Sequence, residues 1–507
     1  MRAPDNGRPL SSPRSTPTTN APAPPSGIEE RAILNTLYNS GGEIAGRFAS
    51  LLLFAVAGHA LGENGLGSFV FAVAFLGFVI VPVDIGLDRY MLRAIAREPS
   101  SANHLFFNVL ALKLSLALPL FGAAVLGLHL VGYDHAAQLT TLALVPGTIC
   151  DSIARSQFAV FMANERSGPP ALADATQRIC SAALGIAALK SGYGVVSVAV
   201  TYSIGSLIGV VIGFVLLART IGMPARSAKR RSWRALASGS VPFATQDIFA
   251  TLLARVDTVI LALIATQAAV GSYGAAYRLF ESTLFVTYAL VGAFAAMFTY
   301  LSPDSDPPLR SVYQRSIKLS LVLLVPIAAA FTVLGGPICR LIYGDNFSSA
   351  AVPLGILGPG VVLLGVVTLT TSLMVSRENP RRMVPVAAAM AALNIALNLI
   401  LIPLYGAGGA AAAMLATEVV YAIWITRMAA HAVHGVALFA TATGALVAGA
   451  GMAIVALLLH DSLLIALACG GVVYLVTLLV IERLLNPHDV ELVTRLVRRR
   501  LASGQPE

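Results

Sequence analysis

Fourteen apolar stretches, each about 20 residues or longer, divide the chain between residues 37 and 484. They fall at about 37–60, 66–92, 104–131, 137–163, 170–189, 193–218, 241–265 and 271–300. Six more follow at about 311–334, 350–376, 382–403, 407–429, 436–459 and 462–484. Each is long enough to carry a helix across the roughly 30 Å hydrocarbon core of a bilayer. Pro82, Pro119, Pro146, Pro242, Pro326, Pro359 and Pro385 lie inside these stretches and predict kinked or locally unwound helices. Met1 to about Ser26 is a Pro/Ser/Thr/Ala tail without an apolar core, so it reads as a disordered leader rather than a signal peptide.

The pattern also repeats. "GSF" at 67–69 answers "GSY" at 271–273, and "LVPG" at 144–147 answers "LGPG" at 357–360. "NERS" at 164–167 falls opposite "RENP" at 377–380, and "GYG" at 192–194 opposite "LYG" at 404–406. The shared order and an offset of 204 to 213 residues argue for two copies of one six-helix unit. The expected architecture is an all-α membrane protein of about 14 helices, in two six-helix lobes related as a parallel internal repeat, plus two C-terminal helices. Its boundaries are a leader (1–30), a first lobe (31–218), a basic linker (219–240), a second lobe (241–430), helices 13 and 14 (431–485) and a basic tail (486–507). Transporters built from repeats hold substrate where the repeats meet and open alternately to either side.

Composition agrees: 57% of residues are hydrophobic and 12% charged, against roughly a quarter charged in soluble domains. The net charge of +9 does not indicate nucleic acid, because of where the charges lie. With the N-terminus inside, the inner segments hold 24 Lys and Arg, the outer loops only Lys190 and Arg340. That asymmetry predicts that both termini are cytoplasmic, with the Arg-rich 219–234 loop as an orientation device. Cys150, Cys180, Cys339 and Cys469 have neither disulfide nor zinc spacing and read as small buried hydrophobes. His431 and His434 read as surface histidines.

The informative residues are charges inside the spans. Each costs about 2.5–3.5 kcal/mol on insertion scales, so it must face protein or water. Arg47, Arg89, Lys113, Arg155, Arg178, Arg255, Arg278 and Lys318 are the cations, with Lys318 placed to snorkel to the inner surface. The acids are Glu43, Asp84, Asp88, Asp151, Asp174, Asp247, Asp257, Glu281 and Glu418. Glu43/Arg47, Asp151/Arg155 and Asp174/Arg178 are spaced i,i+4 and Arg278/Glu281 i,i+3, so each pair can close on one helix face. Arg47 and Arg255 lie near the middle of spans 1 and 7, which open the two repeats. They read either as the cationic wall of a wet cavity or as partners of Glu43 and Asp257. Glu418, mid-span in helix 12, has no sequence-local partner; it reads as a proton or Na⁺ site, or as a neutral hydrogen-bonded acid. In "DIGLDR" (84–89) two carboxylates stand one turn apart, and Gly86 allows close helix approach. This is either a salt-bridge cluster locking span 2 to a neighbour or an inner gate.

"GHALGENGLGSFVFAVAFLGFVIVPVDIGLDRYMLRAIARE" (58–98) resembles the first spans of Wzx-type polysaccharide repeat-unit flippases. These belong to the multidrug/oligosaccharidyl-lipid/polysaccharide exporter superfamily. "DTVILALIATQAAVGSYGAAYRLFE" (257–281), "LIYGDNFSSAAVPLGIL" (341–357) and "LNLILIPLYGAGGAAAAMLATEVVY" (397–421) resemble its later stretches. The likeness covers about 30–485 and departs at the leader. It implies transport of an undecaprenyl-pyrophosphate-linked oligosaccharide from the inner to the outer leaflet of the bacterial cytoplasmic membrane. It further implies an H⁺ or Na⁺ gradient as energy source, no cofactor, and a polysaccharide polymerase as a partner. Helices 1, 2, 7 and 8 line the cleft in this superfamily, which points to Arg47, Arg89, Arg255 and Arg278 for the pyrophosphate. Asp84, Asp88, Asp257, Glu281 and Glu418 are the acidic candidates for coupling or gating. A drug or cation antiporter of the same superfamily and a lipid II flippase are the rival transporters. A glycosyltransferase or ligase would need a large outer loop with a carboxylate pair, which 335–349 does not supply.

Overall fold

The computed structural model describes residues 28–220, 222, 233–301, 306–377, 383–433 and 438–485. The leader, the basic tail and most of the basic linker lie outside them. All regular structure among the described residues is helical. We number the membrane helices α1 (28–61), α2 (63–97), α3 (Ala102–Leu130), α4 (His135–Ala163), α5 (Gly168–Lys190), α6 (Val195–Thr220) and α7 (Trp233–Ile264). The remainder are α8 (267–300), α9 (Asp306–Tyr343), α10 (Ala351–Arg377), α11 (383–405), α12 (407–432), α13 (Leu438–Leu458) and α14 (Leu463–Leu485). The turns after α2, α4, α6, α8, α10 and α12 share one side, here the basic face; the opposite side is the far face.

Hydropathy alone finds nine stretches among the described residues that are long and apolar enough to cross a membrane. Two of them, of 40 and 49 residues, fold back at a glycine. Gly62 (φ +65°) turns α1 into α2, and Gly406 (φ +54°) turns α11 into α12; only a residue without Cβ does this without strain. The helices that add the rest, α4, α5 and α7, carry Asp151, Arg155, Asp174, Arg178, Arg255 and Asp257. This is therefore a multi-pass membrane protein, with fourteen membrane helices among the described residues. α4, α9 and α10 run on through Pro146, Pro326 and Pro359; only Pro82 coincides with a break.

That break divides α2. A single turn, Val81–Asp84, ends at Ile85 (φ +39°, ψ +36°) and Gly86 (φ +66°), and the helix restarts as Leu87–Arg97. A β-branched residue in the left-handed region is rare and stores about 1–3 kcal/mol. Such strain persists only where the surroundings hold it, and both flanking carboxylates are held, as described below.

In the first lobe α1 packs on α5, α5 on α6 and α4 on α6; in the second, α9 packs on α10, α10 on α11–α12, and α7 on α11–α12. α13 lies against α9 and carries α14. Lys318 of α9 pairs with α14: its Nζ lies 2.5 Å from Glu482 Oε2. The Tyr474 hydroxyl donates to the Val322 carbonyl beside it, at 2.8 Å. The lobes meet mainly where α2 packs along α8, and again where the last segment of α2 reaches the start of α7.

Candidate functional site

On the far side the lobes are closed by their smallest residues. A Cβ on Gly67 would fall 2.0 Å from the Gln267 carbonyl oxygen, and one on Gly271 2.0 Å from that of Glu63, so α2 and α8 touch backbone to backbone. Glu63 accepts hydrogen bonds from the hydroxyls of Ser349 and Ser272. Tyr133, in the α3–α4 turn, donates to the Ala262 carbonyl at 3.0 Å and accepts from Gln267 Nε2 at 2.9 Å. Burial pushes the Tyr133 phenol up, which keeps it a neutral donor.

Deeper in the seam the arginines gather. Arg278 of α8 reaches across to α1: it donates to Ser50, lies 4.7 Å over the Phe54 ring, and pairs with Glu281 at 2.9 Å. Arg47 reaches back the other way, donating to the Glu281 carbonyl at 3.5 Å and lying 5.9 Å from the Tyr288 ring centre. Arg178 of α5 pairs with Asp174 at 2.9 Å and fills the space beside Gly46 of α1. Arg255 of α7 lies over Gly77 of α2, where a Cβ would stand 2.8 Å from its Cδ and 3.1 Å from its Nε. Among the described residues Arg255 has no hydrogen-bond or ion-pair partner, although Tyr202 of α6 feels both its charge and that of Arg178. The Arg278 side chain, 25% exposed inside its span where α8 meets α1, cannot sit in lipid, so it faces water in the seam.

The model of the family described as "Polysaccharide biosynthesis protein" matches residues 33–299. The chain belongs to this family. A second model, that of the lipid II flippase MurJ, matches residues 229–479. Two similar proteins of Haloferax volcanii are named as flippases. The probable low-salt glycan biosynthesis flippase Agl15 is 24% identical over 72% of this chain and 76% of its own length. The probable flippase AglR is 23% identical over 78% and 82%. Among solved structures, the lipid II flippase MurJ in an inward closed conformation superposes with TM-score 0.71, at 16% identity, over 89% of this chain and 99% of that one. An inward-facing multidrug resistance transporter of the MATE family gives 0.56, at 15% identity, over 78% and 95%. The likeness to polysaccharide flippases that the sequence carries therefore holds, and so does the fold it implies.

Within this polysaccharide biosynthesis family member, the predicted site residues divide. Arg47, Arg278 and Glu281 come together at the seam, and Arg255 lies apart from them in contact with Gly77 of α2. Arg89 is exposed on the last segment of α2. Asp257 does not pair with Arg255: it is buried, accepting from Tyr273 OH and, at 2.6 Å, from the Thr258 amide. Glu418 is enclosed in the second lobe, and its Oε2 has no hydrogen-bond partner among the described residues. The Glu43 side chain lies outside the described residues, as do those of Asp247 and His434, so the Glu43/Arg47 pair does too.

Asp84 and Asp88 join a cluster inside the first lobe. Lys113 of α3, 2% exposed, bonds Asp84 at 2.9 Å and Asp88 at 2.8 Å. Asp84 also accepts from Ser152 and from Arg155 Nη2 at 2.6 Å, and Asp88 from Ser156 at 2.6 Å. All these partners lie on α3 and α4, so the cluster joins α2 to its own lobe, and the strained Ile85–Gly86 turn sits between its two fixed carboxylates. The expected Asp151/Arg155 pair is not formed. Arg155 turns to Asp84, 71 residues away, and Asp151 is taken by Tyr202 and Gln177, each at 2.7 Å. Arg178, read as a local ion-pair partner, does pair with Asp174 but also lies against Gly46 of α1. The repeat alignment gave no hint of it, since the second lobe has no counterpart arginine in α11.

Proposed function

We propose that this protein is a flippase that carries a diphosphate-linked oligosaccharide on undecaprenol from the leaflet at its basic face to the leaflet at its far face. The observation that carries this reading is Arg255: a guanidinium in mid-membrane, at the contact of the two lobes, with no ion-paired anion among the described residues. An unneutralised arginine there costs free energy unless a ligand supplies the anion, and guanidinium forks match phosphate bidentately. Arg47 and Arg278 lie in the same seam and can hold the remaining phosphate oxygens. A drug-cation antiporter would place acids there instead. The Haloferax relative named as a glycan biosynthesis flippase supports the cargo class, and the excess of Lys and Arg on the basic face supports its cytoplasmic placement in a bacterial inner membrane.

Alternating access follows from the two lobes: the far-face contacts of Gly67 and Gly271 part as the basic side closes. Glu418, with an acid oxygen lacking a bond among the described residues, and the Asp257–Tyr273 pair are the second-lobe groups through which an H⁺ or Na⁺ gradient would bias that exchange. A polymerase acting at the far face would consume the product.

The test is a deletion strain complemented with wild type or Arg255→Ala at matched protein levels. Surface polysaccharide is quantified together with lipid-linked oligosaccharide still confined to the cytoplasmic leaflet. Loss of surface polymer with accumulation of that intermediate is expected for the deletion and the variant. Unchanged polysaccharide in the deletion overturns the reading and turns attention to drug efflux.

A further inference from the structure

We propose that the groove between α3 and α4 binds one acyl chain of a zwitterionic phospholipid from the far leaflet. Leu118–His129 and Gln138–Ile149 splay apart and leave a cavity of about 480 Å³, within the range of ligand pockets. Its walls are aliphatic, with Phe121 the only ring besides His129. Leu118, Leu126 and Leu142 are 71%, 56% and 54% exposed, so the groove opens sideways to the bilayer. The rise of the helix from Leu118 to His129 makes it about 16 Å long, half the hydrocarbon thickness and the reach of a single leaflet. Water gains nothing in such a space, and a cavity left empty forfeits the dispersion contacts of its lining. An alkyl chain restores them.

The lip of the groove selects the headgroup. His129 Nδ1 lies 3.3 Å from Gln138 Oε1, and Gln138 Nε2 donates to the Tyr133 carbonyl at 2.7 Å. These are amide and imidazole groups, and the sequence from Leu114 to Ala154 contains no Lys or Arg. A diphosphate carrier would need cations here, whereas a zwitterionic head does not. The same lip is bonded to Tyr133, whose hydroxyl touches Ala262 of the second lobe, so a chain in the groove braces a turn that takes part in the far-face closure.

The test uses the full chain in nanodiscs containing phosphatidylethanolamine with a photoactivatable diazirine on its acyl chain, and maps adducts by peptide. Adducts are expected to concentrate on 118–149. They should fall roughly tenfold in Gly122→Phe, which fills the groove without a clash because nothing lies within 4 Å of an added Cβ. Gly127→Phe, equally open but not lining the groove, should leave the adducts unchanged. Leu142→Trp closes the groove from α4 and must reproduce the fall, with melting temperature and monodispersity confirming that each variant is folded. Adducts spread evenly over the lipid-facing helices and indifferent to Gly122→Phe would overturn the proposal. Stronger labelling of 118–149 by an undecaprenyl-diphosphate probe than by phosphatidylethanolamine would overturn the choice of occupant.

Discussion

Gly67 and Gly271, matched by the internal repeat, meet at the far face: a Cβ on Gly67 would stand 3.1 Å from the Gly271 nitrogen and 2.0 Å from the Gln267 carbonyl oxygen. Each repeat supplies one glycine to a contact that needs both. Since the obstructing atoms are backbone, no rotamer change makes room. Gly67→Ala or Gly271→Ala is therefore expected to cost the closed far face about 1–3 kcal/mol, a shift of roughly 5- to 150-fold toward the open one. Hydrogen–deuterium exchange should accelerate by that order in peptides covering 60–72 and 265–277. Unchanged exchange there would mean that this contact does not seal the lobes.

Lys113 is the second testable feature, because it reaches both carboxylates that flank the Ile85–Gly86 turn. Lys113→Met leaves two half-buried acids facing each other and removes what holds a strained backbone. Breaking a buried ion pair from one side costs about 3–5 kcal/mol, so the thermal midpoint in detergent should fall by several degrees. Asp84→Asn with Asp88→Asn in the same chain should recover part of the loss, since the amides need no cation. A Lys113→Met protein as stable as wild type would show the cluster to be incidental.

The spans were legible because burying a helix in lipid leaves a one-dimensional signature, and the charge asymmetry of the turns is similarly local. The paired glycines were legible too, as "GSF" and "GSY", though not what they pack against. Partner choice was not. The i,i+4 rule paired Arg155 with Asp151, but a broken α2 carries Asp84 to Arg155 and frees Asp151 for Tyr202; nothing in a linear spacing encodes that fold-back. Lys113 stood out only as a cation in an apolar helix, with its partners 25 and 29 residues upstream. Arg178 was hidden by its own ion pair, which satisfied the local reading while its stem reached α1.

Tyr133 ties the α3–α4 turn to the second lobe through one donated and one accepted hydrogen bond. Tyr133→Phe keeps the ring, which stacks on Phe71 with centroids 4.4 Å apart, and loses both bonds. At about 0.5–1.5 kcal/mol each, the loss of both should speed amide exchange in 128–138 by roughly 5- to 150-fold. The rest of the first lobe should exchange as before. An effect confined to neither region would place the bonds outside the closure.

Arg255 should separate stability from transport. A residue that holds a fold together leaves a deficit when removed, but Arg255 has no ion-paired protein anion among the described residues to strand. Arg255→Ala is therefore expected to keep the thermal midpoint, within about 0.5 kcal/mol, or to raise it, as active-site charges removed at the expense of function do. Transport should be lost in the same protein. Arg255→Lys keeps the charge without the planar fork and should fall between. Gly77→Ala offers a control that leaves the charge intact: its Cβ would stand 2.8 Å from Arg255 Cδ, so it displaces the guanidinium and should impair transport. If Gly77→Ala transports normally while Arg255→Ala does not, the charge acts at long range rather than by contact with the cargo.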